Sequence, residues 1–256
     1  MSTSDAIMIE KLQAKDVTPE MLEGAAALFS SSYGVWGPLA AEKMSQRVKM
    51  SVARLREQCL APDTRSVFVR ALSNGELAGY VFATRWDYQG RQVCWVTQLC
   101  VSPAFRGQKL ATKLLLELRT GENDRGFGIL SSHPHAILAA LRAFGRGVEE
   151  VDLGMARVHA QGIIDASPVE YVRGAKLTGT LFGIGSGMES GTCCADTSFW
   201  VDHTEPLTAL QQVKGRGVQW PFGELPEGCE YIVLVKGAEV DGTGQRVRRQ
   251  ENSSDF

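Results

Sequence analysis

Arg106-Gly107-Gln108-Lys109-Leu110-Ala111 is the stretch whose residue types and spacing point most directly to chemistry. It sits inside Val93 to Leu118, VCWVTQLCVSPAFRGQKLATKLLLEL, which reads as a strand, a Ser-Pro turn, a short basic loop and a leucine-rich helix. A helix N-terminus offers unpaired backbone N–H groups and a partial positive charge. A loop of small residues lets the backbone approach a pyrophosphate closely. Arg106 and Lys109 add positive charge beside it. The same residues also read as a plain strand-loop-helix corner carrying two solvated basic side chains. The stretch alone leaves both readings open.

Three further groups carry candidate chemistry. Asp202-His203-Thr204-Glu205-Pro206 is the densest polar cluster in the C-terminal half. Asp202 and His203 are candidate bases, while Thr204, Glu205 and Pro206 read as a helix cap and first turn. His133 and His135 come after a short apolar run. His133 precedes Pro134 and reads equally as a helix-cap residue. Tyr33-Gly34-Val35-Trp36 sets aromatic residues beside a glycine, which suits a mobile lid or an aromatic turn packed on the core. Cys193, Cys194 and His203 suggest a metal only weakly, because adjacent cysteines chelate poorly and no fourth ligand is evident. No metal is expected.

The elements that must position these groups are set by periodicity and turn signals. Ile7-Met8-Ile9 reads as a strand. Thr18-Pro19-Glu20 reads as a helix start, with Leu22, Ala25, Ala26, Leu28 and Phe29 on the buried face. A second helix is predicted from about Leu39 to Cys59, from the spacing of Met44, Val48, Val52 and Leu55. Strands are predicted over Ser66 to Leu72, Leu77 to Trp86 and Val93 to Val101. The turns Ser73-Asn74-Gly75 and Gln89-Gly90 make them an antiparallel meander. A helix from Gln108 to about Thr120, a strand at Phe127 to Leu130 and a helix from Pro134 to Gly145 come next. Beyond them, Met155 to Ala166 reads as helical and Lys176 to Phe182 as a strand. Gly183 to Gly191 reads as a mobile connector. Ser198 to His203 and Glu230 to Val235 read as strands that complete the sheet beside Ile129, with a helix at Pro206 to Lys214 between them. The expected class is α+β, layered α/β/α, with a mixed, mostly antiparallel central sheet and flanking helices. The expected organisation is one domain over 1–240, with an insertion at about 149–197 and a disordered polar tail at 241–256.

Composition sets the remaining bounds. The chain has 256 residues, 44% hydrophobic and 22% charged, enough for a core without metal or disulfide staples. The formal net charge of −2 argues against a nucleic-acid partner. The six cysteines include no CxxC pair and read as reduced thiols. No apolar run approaches the ~18 residues of a membrane span, and Met1 to Asp5 is polar, so no secretory leader is expected. Cytoplasm is the expected location, with the nucleus also compatible.

The Val93 to Leu118 stretch resembles motif A of the GNAT family of N-acetyltransferases, whose signature is [Q/R]-x-x-G-x-[G/A]. Arg106 matches its first position and Ala111 its last, and Arg106-Gly107-Gln108 matches the common R-G-Q wording. Thr97 to Pro103 is similar to the family's fourth strand and V-x-P-like turn. Phe127 to Gly145 resembles motif B. The strong resemblance covers about Ser66 to Gly145.

The resemblance implies the GNAT acyl-CoA N-acyltransferase fold and acetyl-CoA as acyl donor. It implies that Arg106, Gly107, Gln108, Lys109, Leu110, Ala111 and Thr112 hold the pyrophosphate, with His133 also on the cofactor side. Backbone groups of Leu99, Cys100 and Val101 would bind the pantetheine arm, and Leu99 would support the thioester carbonyl. Tyr33 and Trp36 would line the acceptor pocket. The implied reaction is transfer of acetyl to a primary amine of a small molecule or peptide, by direct attack in a ternary complex. A monomer or homodimer is expected. Asp87 is a poor base, because it sits at a hairpin tip about 30 Å along a strand from Leu99. Two departures bear on catalysis. Lys109 stands where the family's central glycine usually sits, and no tyrosine lies between Leu130 and Gly147 to protonate the leaving thiolate. The alternatives are an acyl-CoA sensor without turnover and an interaction protein using Trp220 to Tyr231.

Overall fold

The structure, a computed structural model, describes residues 6–183 and 192–237. The connector expected at Gly183 to Gly191 and the polar tail from Asp241 fall almost wholly outside the described residues.

The chain opens with β1 (Ile7–Gln13) and α1 (Pro19–Ser32). Thr18 caps α1 by accepting from the Met21 amide, with Pro19 in the first turn, as the sequence predicts. α2 (Val52–Cys59) leads to β2 (Arg65–Ser73), β3 (Glu76–Tyr88) and β4 (Arg91–Val101). Both hairpin turns place an uncharged polar residue and then glycine at positive φ: Asn74-Gly75 and Gln89-Gly90. That geometry matches the twist of paired strands. Then come α3 (Leu110–Arg119), β5 (Gly126–Ser131) and α4 (Pro134–Phe144). The C-terminal part contributes α5 (Leu153–Asp165), α6 (Glu170–Arg173), β6 (Lys176–Thr178), β7 (Cys194–Asp196), α7 (Thr204–Gly215) and β8 (Cys229–Lys236).

The strands form one eight-stranded sheet in the order β1-β2-β3-β4-β5-β8-β7-β6. β4 and β5 pair in parallel, and the other neighbouring pairs are antiparallel. The expected mixed, mostly antiparallel sheet with flanking helices is therefore what the chain adopts. A parallel pair needs a crossover, and α3 supplies it.

Side-chain alternation assigns the two faces. Arg85 on β3 reaches Asp124 and the Leu118 carbonyl at the end of α3, and Phe127 on β5 stacks on Phe144 of α4 at 4.2 Å. Leu114, Leu115 and Leu118 are fully buried on that face. Each such leucine contributes roughly 1.5–3 kcal/mol relative to exposure. On the opposite face Tyr80 and Phe82 of β3 and Cys100 of β4 pack with Leu22 and Leu55 of α1 and α2. Trp86, on the same face of β3, donates its indole N–H to the Ile163 carbonyl of α5. Alternation continues into β8: Tyr231, Val233 and Val235 lie on the α4 face, and Glu230, Ile232 and Leu234 on the α5 face. Gly128 of β5 lies opposite Trp95 of β4, where a Cβ would come within 2.2 Å of the indole. Glycine is required there for the two strands to close.

Three expectations need correction. The second helix spans only Val52–Cys59, with Ser51 as its cap. Ala41 and Ser45 adopt positive φ, and Val35 bridges to Arg47, so residues 44–50 fold back as a loop. Val48 is buried there against the cluster of Phe29 and Val201, and Met44 is exposed. The spacing of apolar residues reflects tertiary burial of a loop, not a helical face.

Ser198 to His203 is not a sheet strand. The strand is Cys194–Asp196, ended by Ser198 at φ +52, whose amide donates to the Asp196 carboxylate. The residues after it turn away and meet the α1–α2 loop through the Trp36–Val201 bridge. The strand at Lys176 stops at Thr178, where Gly179 takes φ +95 and residues 180–182 form a helical turn. The strand expected over Glu230 to Val235 is present as β8, beside β5.

Candidate functional site

The site begins with a bulge. β4 and β5 pair from Val93↔Gly126 to Val96↔Ile129, and the pairing ends there. On its other edge β4 changes register: Ala83 pairs with Val96, while Phe82 pairs with Gln98. Thr97 is the extra residue. A bulge bends its strand and re-aims the residues beyond it. Past Thr97, β4 runs on along β3 to Val101, while Leu130 and Ser131 of β5 stay paired with β8. The strands diverge, and Leu99, Cys100 and Val101 border the gap.

The loop after β4 delivers α3 to the same end of the gap. Gly107 takes φ +76, and a Cβ there would meet nothing within 4 Å. Backbone conformation, not space, calls for glycine. Lys109 takes φ +62 and ψ 16 as the residue before the first turn of α3. This explains why the motif favours glycine there: the position is left-handed, at a cost of about 1–2 kcal/mol for a residue with a β-carbon. No side chain caps α3, so the amides at its start, Leu110, Ala111 and Thr112, face outward uncapped. Gln108 braces the loop by donating to the Ala104 carbonyl at 2.9 Å.

The Arg106 side chain is engaged within the protein. It donates to the Ser32 carbonyl at 2.6 Å and to Glu205 Oε1 at 3.0 Å, and more weakly to the Val101 carbonyl. It ties the end of α1 to the start of α7 across the loop. The sequence points to its charge; the structure adds this bracing.

On the α1 face the aromatic turn packs rather than floats. Tyr33 stacks on Phe29 at 4.2 Å, and Phe199 contacts both Tyr33 and Trp36. Gly37 donates to the Trp200 carbonyl, and Asp202 donates its amide to the Val35 carbonyl. The segment 199–202 therefore forms a wall with the loop of Tyr33 and Trp36.

Behind that wall is a buried polar group that the sequence does not single out. Glu230 is 9% exposed, on the α5 face of β8. Burial pushes its carboxyl up to about 7, and the Thr197 hydroxyl beside it pulls partly back. Burial raises the Tyr33 and Tyr171 hydroxyls, and Glu230 adds to both, after Cys59 in the case of Tyr171. Tyr171, on α6, donates to the Thr97 carbonyl at 2.7 Å, at the bulge itself. The hydroxyls of Thr97 and Thr197 are buried without a well-formed hydrogen bond among the described residues. Glu230, Tyr33, Tyr171 and the two threonines thus bring together the polar groups on this side of the gap. A signal for Glu230 exists: it is the one charged residue in Cys229–Val235, an otherwise apolar strand. Tyr171 offers none, since its position depends on α6 folding against β4.

The sequence candidates fall elsewhere. Asp202 accepts from the Thr204 amide at 2.6 Å, and the Thr204 hydroxyl, then this amide, hold its carboxyl below the usual range. It stands just before His203, the N-cap residue of α7, and Thr204 is the first residue of that helix, not its cap. His203 is buried and lines a small cleft with Ser132, Pro134, Leu207 and Tyr231, on the α4 face of the sheet. Burial lowers its pKa. His133 caps α4 by accepting from the His135 amide at 3.2 Å. Burial, then His135 and Arg106, holds it down to about 4, so it is neutral at physiological pH. Cys100 is buried and pushed up to about 12, which suits packing and not nucleophilic attack. Among the described residues no group of three His, Cys, Asp or Glu is placed to hold a metal ion, and no helix is long and apolar enough to cross a membrane.

Residues 32–137 match the family model described as Acetyltransferase (GNAT) family. The matched segment runs from the end of α1 into α4 and includes the Thr97 bulge, the loop at Arg106 and β5. No curated protein matches the chain. Among solved structures, it is similar to a GNAT family N-acetyltransferase from Escherichia coli in complex with CoA, at 21% identity over 52% of this chain and 67% of that one, TM-score 0.36. An aminoglycoside 6'-N-acetyltransferase complexed with coenzyme A is 17% identical over 48% and 61%, TM-score 0.34. An aminoglycoside acetyltransferase from an uncultured soil metagenomic sample, in complex with sisomicin, is 16% identical over 44% and 67%, TM-score 0.32.

Proposed function

We propose that the protein transfers an acetyl group from acetyl-CoA to a primary amine, by direct attack in a ternary complex. The observation that carries this reading is the divergence of β4 and β5 after Val96↔Ile129, at the same end of the sheet as the uncapped start of α3. The residues present fit the donor. The amides of Leu110, Ala111 and Thr112 suit a pyrophosphate, and Gly107 leaves open space beside them. Backbone groups of Leu99, Cys100 and Val101 border a gap suited to an extended pantetheine arm. Backbone near Leu99 would stabilise the oxyanion. Tyr33 and Trp36, held by Phe199, wall the acceptor side on the opposite face. Small molecules and peptides with a free primary amine are the acceptor class.

A second reading, acyl-CoA binding without turnover, is favoured by one observation: the Arg106 guanidinium is already paired with Glu205 and Ser32. Free thiol release from acetyl-CoA, measured over a panel of aliphatic diamines, amino sugars and short peptides, separates the two. Amine-dependent release supports transfer. Saturable acetyl-CoA binding with no release above the hydrolytic background for any amine would leave the sensor reading.

A further inference from the structure

We propose that Glu230 is the general base that takes the proton from the acceptor amine at the β4–β5 gap. This rests on the acetyl-transfer reading above. Glu230 lies on the α5 face of β8, next to β5 in the sheet, on the side walled by Tyr33. The start of α3 and the cleft at His203 lie towards the other face. A donor entering from the α3 side and an amine entering from the Tyr33 side would meet at the bulge. Asp202 and His203 do not meet this requirement, because one is bonded to the Thr204 amide at the start of α7 and the other lies on the α4 face.

A buried carboxylate without a cationic partner is costly, and such groups mark functional sites. Among the described residues the Glu230 carboxylate has the Thr197 hydroxyl as its polar neighbour and no cation. The titratable groups facing it are Tyr33 at the end of α1, Tyr171 on α6 and Cys229 on its own strand. None carries positive charge, so an arriving ammonium would be the first cation in the cluster. It would find one carboxylate and the hydroxyls of Tyr33, Thr97 and Thr197 around it. A carboxyl that titrates near neutrality is matched to taking a proton at cellular pH.

In the proposed step the ammonium gives one proton to Glu230, and its nitrogen gains a free lone pair. That pair forms the C–N bond to the thioester carbonyl carbon, and the C–S bond breaks. The second nitrogen proton goes to the departing CoA thiolate, giving the amide and free CoA thiol. Glu230 then releases its proton to solvent. Tyr171 is a positioning residue in this scheme, holding the Thr97 carbonyl at the bulge.

The test is Glu230→Gln, assayed with whichever panel amine the wild-type protein acetylates. The expected result is a fall in kcat/KM of about 100-fold or more. Acetyl-CoA affinity by calorimetry should stay within about threefold, which also reports that the variant folds. The wild-type rate should show an inflection near neutral pH that the variant lacks. Glu230→Asp should lose about tenfold or more and keep an inflection, and it decides the matter if the Gln variant does not fold. Near-wild-type activity in Glu230→Gln, with the inflection intact, overturns the assignment and leaves the acetyl-transfer reading standing. A wild-type protein that binds acetyl-CoA but acetylates no amine overturns both.

Discussion

The Tyr171 hydroxyl donates to the Thr97 carbonyl at 2.7 Å, so α6 holds the single residue where β4 bulges away from β5. This contact links the C-terminal half of the chain to the gap on which the functional reading depends. Tyr171→Phe keeps the ring and removes the donor. We expect a loss of about 1 kcal/mol in urea unfolding, the usual net worth of such a bond. We also expect a lower kcat with acetyl-CoA affinity changed little. Unaltered stability and unaltered turnover would show that the bulge holds its shape without α6.

Lys109 separates two effects that the sequence leaves joined. Its left-handed backbone predicts that Lys109→Gly relieves strain and raises stability by roughly 1 kcal/mol. If its ammonium contacted phosphate, the same change would remove a charge-assisted bond worth about 1.5–3 kcal/mol. We expect equal or tighter acetyl-CoA binding in the variant, measured by calorimetry. A tenfold weakening would assign the lysine to the phosphate instead.

Gly107→Asp should weaken acetyl-CoA by about tenfold or more, by setting a carboxylate beside the amides that would hold the pyrophosphate. Asp tolerates the left-handed backbone better than most residues, and the added Cβ has open space. Gly107→Asn, with similar backbone demands and no charge, should lose much less. Equal affinities for the two variants would remove the pyrophosphate from this loop.

Much of this fold can be read from the sequence, where local signals and tertiary packing agree. The meander declares itself through Asn74-Gly75 and Gln89-Gly90, and α1 through Thr18 and Pro19. The loop at Arg106 is legible because a strand, a turn and a leucine-rich helix surround it. Legibility fails where burial comes from distant chain. Val48 looks helical by spacing but packs in a loop against Phe29 and Val201. Phe199, Trp200 and Val201 are apolar like a strand, yet they cover the Tyr33 turn. The chemical candidates are harder to read for a related reason. Asp202 draws attention because polar residues surround it, and one of those neighbours, Thr204, takes up its carboxylate at the start of α7. Glu230 is hidden in an apolar strand, and only the facing of β8 brings it to the gap.

The pH dependence of stability gives an independent reading of Glu230. Its folded-state pKa is raised above the usual carboxylate value, to about 7. Its protonated form therefore favours the native state, and that contribution is complete below the unfolded value near 4.5. It is lost as pH rises through about 7. Above that pH the buried charge opposes folding by about 3 kcal/mol, at ~1.4 kcal/mol per unit. Glu230→Gln should thus raise Tm at about pH 8 by several degrees and little at about pH 5. An equal shift at both pH values would mean that the carboxyl does not titrate across this window.

The most direct measurement tracks the acyl group itself. Protein is mixed in excess with acetyl-CoA labelled at the carbonyl carbon with 13C, in the presence of a reactive amine, and quenched over a single turnover. The account predicts that the label passes from thioester to amide with no labelled protein at any time. It also predicts that a parallel mixture without amine shows no transfer. Label on the protein at an intermediate time, or label that stays in the thioester with every amine while acetyl-CoA remains bound, would contradict direct transfer in a ternary complex.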